Sequence, residues 1–167
     1  MKNILFICCL SILIISCQDN NPPTEETTLN IPPPQAVPLN VTLNMTQPKY
    51  KLGQPITLRF VLKNNTPETV TFCKLNSPAN GQHWSNCFQI KDVKGNNISF
   101  ISKITPHQGP VEDKDLISIE GNGIRLYTID IRPMYALNQV GTYKIHFVGD
   151  KINLLANSLP ARFVIKP

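Results

Sequence analysis

From Val41 onward, apolar and polar residues alternate one by one. Val41, Leu43 and Met45 alternate with Thr42, Asn44 and Thr46, and Ile56, Leu58, Phe60 and Leu62 alternate with Thr57, Arg59 and Lys63, Val61 being the exception. Val70 and Phe72, Phe88 and Ile90, and Ile98 and Phe100 continue the pattern. Tyr143, Ile145 and Phe147 repeat it around Lys144 and His146, and Ala161, Phe163 and Ile165 end it. Alternation of this kind puts one face of an extended strand in a core and the other in water. Gly, Pro and Asn clusters separate the segments, at 52–55, 64–67, 94–97, 121–123 and 140–141, as turns require. No stretch carries a helical period. Residues 39–167 therefore read as one all-β domain, an antiparallel two-sheet β-sandwich of about seven to eight strands.

Two local features refine that expectation. Ile124 and Leu126 share one phase, whereas Tyr127, Ile129 and Ile131 share the other. A bulge near Tyr127–Thr128 would turn both sets toward the core. Val140-Gly141-Thr142-Tyr143-Lys144-Ile145-His146-Phe147 looks like the penultimate strand of immunoglobulin-like domains. The sandwich is accordingly expected to be Ig-like, with Tyr143 as the corner tyrosine that bonds back to nearby backbone.

The N-terminus has another character. Met1-Lys2-Asn3 is a short positive start, Ile4 to Ile15 is apolar apart from Ser11, and Ser16 precedes Cys17. An apolar run of about 12 residues suits a signal-peptide core and falls short of the roughly 20 needed to span a bilayer. A small residue directly before a cysteine resembles a bacterial lipoprotein signal, in which residues 1–16 are removed and Cys17 carries the lipid, palmitate-type acyl chains included. A plain secretory signal is the alternative. Gln18, not Asp, follows the cysteine, which by resemblance to Gram-negative sorting signals implies the outer membrane. Residues 17–38 hold prolines at 22, 23, 32, 33, 34 and 38 among mostly polar neighbours. Such a segment favours an extended, unfolded tether of up to roughly 65 Å.

Charge bounds the partners. The chain holds 16 basic and 11 acidic residues, and setting aside Lys2, Asp19, Glu25 and Glu26 leaves 15 against 8, a net +7 on the domain. A basic domain in the cell envelope faces anionic lipid, lipopolysaccharide or an acidic protein. Its lysines are scattered and lack interleaved aromatics, so nucleic acid is not expected as a partner.

Of the five cysteines, Cys8 and Cys9 lie in the signal and Cys17 is the lipid site. Cys73 and Cys87 remain as a pair in an oxidising compartment, where a disulfide is expected. With Phe72 and Phe88 as inward neighbours, both cysteines fall at outward or loop-base positions. Closing this loop of about 15 residues would contribute about 3 kcal/mol. It would staple a segment containing His83 and the sole tryptophan, Trp84. Trp84 is either a recognition anchor or a cap folded back on the sandwich. A rival reading makes Cys73, His83 and Cys87 soft ligands for zinc or copper, but their spacing matches no standard set and a fourth ligand is missing.

Enzymatic motifs are not found: no His-Glu-x-x-His, no Gly-x-Ser-x-Gly and no phosphate-cradling glycine loop. His107 and Gln108 lie in a Pro- and Gly-containing loop followed by Glu112, Asp113 and Asp115. A histidine beside carboxylates can do acid–base work, but an ordinary solvated loop explains it better. His146 alternates outward on its strand. No catalytic residue, metal or cofactor is assigned.

From Tyr50 to Ile165 the order of features is similar to the β-domain that precedes the catalytic domain in deuterolysin-type metalloproteases. The matching pieces are Gly53-Gln54-Pro55-Ile56-Thr57-Leu58-Arg59-Phe60, Lys63-Asn64-Asn65-Thr66-Pro67-Glu68-Thr69-Val70, Ser77-Pro78-Ala79-Asn80-Gly81, Val111-Glu112-Asp113-Lys114-Asp115 and Val140-Gly141-Thr142-Tyr143. The chain ends at Pro167 with no counterpart of the zinc-binding catalytic domain, so no protease residue carries over. The resemblance implies a pro-region or accessory module, free-standing and membrane-tethered, that holds or inhibits a protease in trans.

The sequence thus points to a non-enzymatic binding lipoprotein of the envelope. Its membrane partner is reached through the N-terminal lipid, and a protein partner, a metalloprotease in the sharpest version, through sandwich loops. His83, Trp84, His107 and Gln108 are the contact candidates. The alternatives are a structural or assembly lipoprotein working through sheet edges, and a metal-binding module using Cys73, His83 and Cys87.

Overall fold

The computed structural model describes residues 38–83, 85–103, 107 and 109–167; for Gln82 and His83 only the backbone is described. The signal segment, Cys17 and nearly all of the tether lie outside the described residues, as do Trp84 and Gln108.

Nine strands are present among the described residues: β1 Leu39–Met45, β2 Lys49–Lys51, β3 Thr57–Asn64, β4 Val70–Cys73, β5 Phe88–Asp92, β6 Leu116–Ile119, β7 Ile124–Asp130, β8 Gly141–Phe147 and β9 Ala161–Lys166. They form a three-stranded sheet β1-β3-β7, a four-stranded sheet β2-β9-β8-β5 and a two-stranded sheet β4-β6. The all-β sandwich expected from the alternation is therefore present. On β1 and β3 the apolar phase is buried, with Leu39, Val41, Leu43, Leu58, Phe60 and Leu62 inward and Asn40, Thr42, Asn44, Arg59 and Lys63 exposed. Tyr143, Ile145, Phe147, Phe163 and Ile165 answer from the other sheet. The Phe60 and Phe147 rings meet across the interior at 4.9 Å, and one contiguous core results.

Four details differ from expectation. The strand count is nine. β2 pairs with β9 in parallel, so the sandwich is not antiparallel throughout; Lys49-Tyr50-Lys51 is too short to show alternation. β6, Leu116–Ile119, is a strand that pairs antiparallel with β4. Residues 98–100 form no strand: after Ile98 N donates to the Ile90 carbonyl at 2.8 Å, Ile101 N turns to Met134 O and Ala136 N to Ser99 O. The segment thus leaves β5 after one residue and crosses to Met134–Ala136.

The expected bulge in β7 is absent. Its register with β3 runs unbroken from Thr57↔Asp130 to Lys63↔Ile124. The sheet follows one phase only. Ile129 and Ile131 are buried, while Ile124 and Leu126 stay 60% and 53% exposed.

Two turns lock the end of the three-stranded sheet. Asn64, fully buried, donates through Nδ2 to the carbonyls of Glu68, Ile119 and Glu120. Its Oδ1 accepts from Thr66 N and Thr66 Oγ1. The Asn64 amide thereby ties its own turn to the β6–β7 turn. Gly121 is required there, because a Cβ would sit 1.9 Å from the Pro67 carbonyl oxygen.

Candidate functional site

The residues named from the sequence are not gathered at one place. Cys73 and Cys87 are both buried, 6% and 3% exposed; they sit at loop-base positions, Cys73 ending β4 and Cys87 directly before β5, but neither faces solvent. Both are free thiols, and the expected disulfide is not formed. The reason lies in the pairing. The expectation took the two cysteines as an even pair on the strands flanking one loop, but β4 pairs with β6 and β5 with β8, so no shared ladder aligns them. Cys73 and Phe72 are buried together, as are Cys87 and Phe88. Burial pushes both thiols up, and the Asp150 carboxylate adds to this at each. A thiol held protonated is a poor nucleophile and a poor metal ligand. Among the described residues no three His, Cys, Asp or Glu side chains gather as a metal cluster.

The backbone of His83 ends a 3-10 segment, Pro78–His83, that kinks at Gly81 (φ 69°, ψ −132°). His107 is exposed, and its Nε2 lies 3.1 Å from the Pro110 carbonyl oxygen. The carboxylates that follow are occupied structurally. Asp115 is buried, accepts from Glu112 N at 3.1 Å and caps a single 3-10 turn, Asp113–Asp115. Glu112 pairs with Lys114 at 2.7 Å on the surface.

Tyr143 is buried, and its hydroxyl donates to the Gln139 carbonyl four residues upstream at 2.8 Å. A second tyrosine, unmarked by any sequence pattern, ties the segment after β7 to the start of β5. Tyr135 is buried with its hydroxyl 2.9 Å from Asn86 Oδ1 and 3.1 Å from the Phe88 carbonyl, and it accepts from Phe88 N at 3.2 Å. Burial pushes its phenol well up.

The surface with the clearest binding geometry is the outer edge of β7, which the sequence reading did not single out. β7 ends the three-stranded sheet, and among the described residues no strand pairs with its outer side. Asn64 N donates to Gly123 O at 2.9 Å and Ile131 N to Ile56 O at 3.0 Å. Antiparallel pairing alternates the side on which backbone groups point. The register therefore turns the backbone of Arg125, Tyr127 and Ile129 toward β3 and that of Ile124, Leu126, Thr128 and Asp130 toward the edge. The other long edge strand, β1, shows polar outward side chains, Asn40, Thr42 and Asn44. At β5 the outer edge is partly covered by the segment that begins at Asn97.

A groove of about 740 Å³ runs beside β7, lined by residues 126–130 of the strand, by Pro78 and Gly81 of the 3-10 segment, and by Ser102, Pro133 and Met134, so apolar side chains dominate but Ser102, Thr128 and Asp130 also face it. Burial raises the Tyr127 phenol, and Arg125 partly offsets this. The signal for this site was present in the sequence as the double phase of β7; reading it as a bulge sent Ile124 and Leu126 inward. No protein-family model matches the chain, and no curated protein matches it.

Proposed function

We propose that this protein is a lipid-anchored binding protein of the bacterial envelope, probing its surroundings with a β-sandwich and engaging a protein partner without covalent chemistry. The Cys17 segment supports the anchor, and its Gln18 supports the outer membrane. One observation carries the binding role: Ile124 and Leu126, 60% and 53% exposed, stand on an edge strand with no partner strand among the described residues, beside a largely apolar groove. Two large apolar side chains on such an edge invite association, and natural sandwiches otherwise protect these positions. The resemblance to the deuterolysin accessory domain supports a secreted metalloprotease as the sharpest form of the partner, with the protein as its holder or inhibitor. His83, Trp84, His107 and Gln108 are the loop contacts in that form.

The same edge favours a second reading, a structural lipoprotein that joins an envelope assembly through strand pairing. The two differ in the partner that is recovered. The metal-module reading is weaker, because burial keeps the Cys73 and Cys87 thiols protonated.

The test is affinity capture from envelope and culture medium by the intact lipidated chain, beside Leu126→Lys. A defined partner recovered in stoichiometric yield and lost with Leu126→Lys is the expected result. A protease among the captured proteins selects the first reading, and an envelope component the second. Equal recovery by both chains removes the edge from the binding site.

A further inference from the structure

The geometry points to the partner's chemistry: β7 takes an extended, acidic segment of a partner protein as an added strand. The inference deepens the binding reading above and rests on it for a biological role. Four successive outward backbone positions, Ile124, Leu126, Thr128 and Asp130, present a ladder with no partner strand among the described residues. Strand addition uses such a ladder for affinity and pockets for alternate side chains for specificity. The groove supplies the pocket. Side chains of an incoming strand that point inward would meet Tyr127, Ile129, Met134 and Pro78, so those positions should be apolar.

The outward positions set the charge. On the outer face β3 places Arg59 beside Thr128, Val61 beside Leu126 and Lys63 beside Ile124, and both basic residues are exposed. Arg125 is exposed on β7 itself. The only acidic residue in β3 or β7 is Asp130. Its Oδ1 already accepts from Ile56 N and Arg132 N at 3.0 Å each. Outward side chains of an added strand would lie about two strand spacings from Arg59 and Lys63, roughly 10 Å, which is about one Debye length at about 0.1 M salt and slightly more than one at physiological salt, so the attraction is partly screened. Acidic residues there gain; basic ones lose. A second copy of this chain fits badly, since it brings a domain of net +7 and the same basic stripe against itself.

The test uses the intact lipidated chain in detergent micelles and three synthetic peptides of seven residues, the length of β7. The first alternates valine and glutamate, the second valine and lysine, and the third is the first with alternate backbone nitrogens methylated. Amide exchange across β7 is read by mass spectrometry. The valine–glutamate peptide should slow exchange at Leu126 and Thr128, whose N–H groups face the edge. The lysine and methylated peptides should bind about tenfold more weakly, equivalent to about 1.4 kcal/mol. Thr128→Pro removes one outward donor and no bond to β3, so it should weaken the first peptide by about tenfold, one hydrogen bond's worth, with the melting temperature nearly unchanged.

No slowing at millimolar peptide overturns the proposal. Equal binding of the lysine peptide overturns its charge, and equal binding of the methylated peptide overturns strand addition. Slowing that follows protein concentration without peptide assigns the edge to a second copy and also overturns it. If Thr128→Pro still retains a captured envelope protein, strand addition fails while the binding reading stands. If nothing is captured yet the peptide protects Leu126 and Thr128, strand addition stands and the binding reading fails.

Discussion

The Tyr50 hydroxyl donates to the Thr57 carbonyl at 2.6 Å, joining β2 of the four-stranded sheet to the first residue of β3 in the three-stranded sheet. The same oxygen accepts from Gln47 N at 3.1 Å, and Thr46 Oγ1 lies 3.3 Å away. The Tyr50 ring packs edge-on against Phe163 with centroids 6.1 Å apart. One phenol therefore fixes the 46–57 turn and the closure of two sheets. Tyr143 also stacks on Phe163, at 5.4 Å, so both tyrosines pack against one ring.

Tyr50→Phe keeps the ring contact and removes only the oxygen. It leaves the Gln47 amide without its acceptor in a partly buried site, while the Thr57 carbonyl keeps Thr46 N and Thr46 Oγ1. The expected loss is about 1–2 kcal/mol. It should appear as a lower urea midpoint with an unchanged slope, since surface exposed on unfolding is the same. A variant as stable as the wild type would remove the latch from the account.

Asn64 carries more. Asn64→Ala removes three donated and two accepted bonds at a site with no solvent exposure. It takes a donor from the buried Ile119 carbonyl and from the Glu120 carbonyl, which keeps its bond from Gly123 N. Destabilisation of about 3 kcal/mol is expected, in the range that marks a broken buried network. Asn64→Asp should be nearly as costly, because a carboxylate cannot donate to the three carbonyls that the amide nitrogen serves. Both are read by chemical denaturation, and Asn64→Asp should recover part of the loss at acid pH, where its carboxyl can donate.

How much of this was written in the chain depends on the length scale of each feature. Alternation over six to eight residues located β1, β3, β8 and β9, because a long period-two run has one solution against a core. β2 has one buried residue, Tyr50, between two exposed lysines; three residues carry no period. β6 was hidden in an acidic, turn-like context. Its pairing with β4 across more than forty positions is tertiary information that no local pattern holds. β7 is the instructive case. Its two apolar phases were legible, but whether a sheet buries one phase or bends to bury both is decided by neighbours. The cysteines failed for the same reason: their burial follows from which sheets β4 and β5 join, not from their spacing.

The two thiols give a pH signature. Burial raises Cys73 and Cys87 above the ordinary thiol range, so folding favours their protonated forms. Above about pH 8.5 the unfolded chain sheds these protons while the folded chain keeps them. Stability must then fall as pH rises, because the unfolded state binds fewer protons. Tyr135, also raised by burial, extends the fall beyond about pH 10. Cys87→Ala should flatten the first part of the decline in denaturation curves taken from pH 8 to 10. In the native protein iodoacetamide should alkylate neither thiol readily, and unfolding without reductant should release both. Recovery of a Cys73–Cys87 disulfide peptide instead would contradict the free pair.

Cys17 tests the address on which the binding proposal depends. If its sulfur carries the lipid, Cys17→Ser should stop processing there and remove the anchor, leaving the sandwich unaltered because the described domain begins only at Pro38. The expected outcome is loss of the acylated N-terminal fragment by mass spectrometry and a shift of the mature domain out of the detergent-extracted membrane fraction. Thermal unfolding of the domain should be unchanged. In Cys17→Ser the uncleaved signal core, Ile4 to Ile15, is a second candidate for membrane attachment. A single short apolar segment of about 12 residues falls well below the length of a span, so uncleaved precursor should be extracted by alkaline carbonate. An acylated wild type that resists that wash, beside a Cys17→Ser chain that does not, assigns the anchoring to the lipid. Equal resistance in both would assign it to the apolar segment and would take the tether's free end, and the sandwich upon it, out of the proposed position.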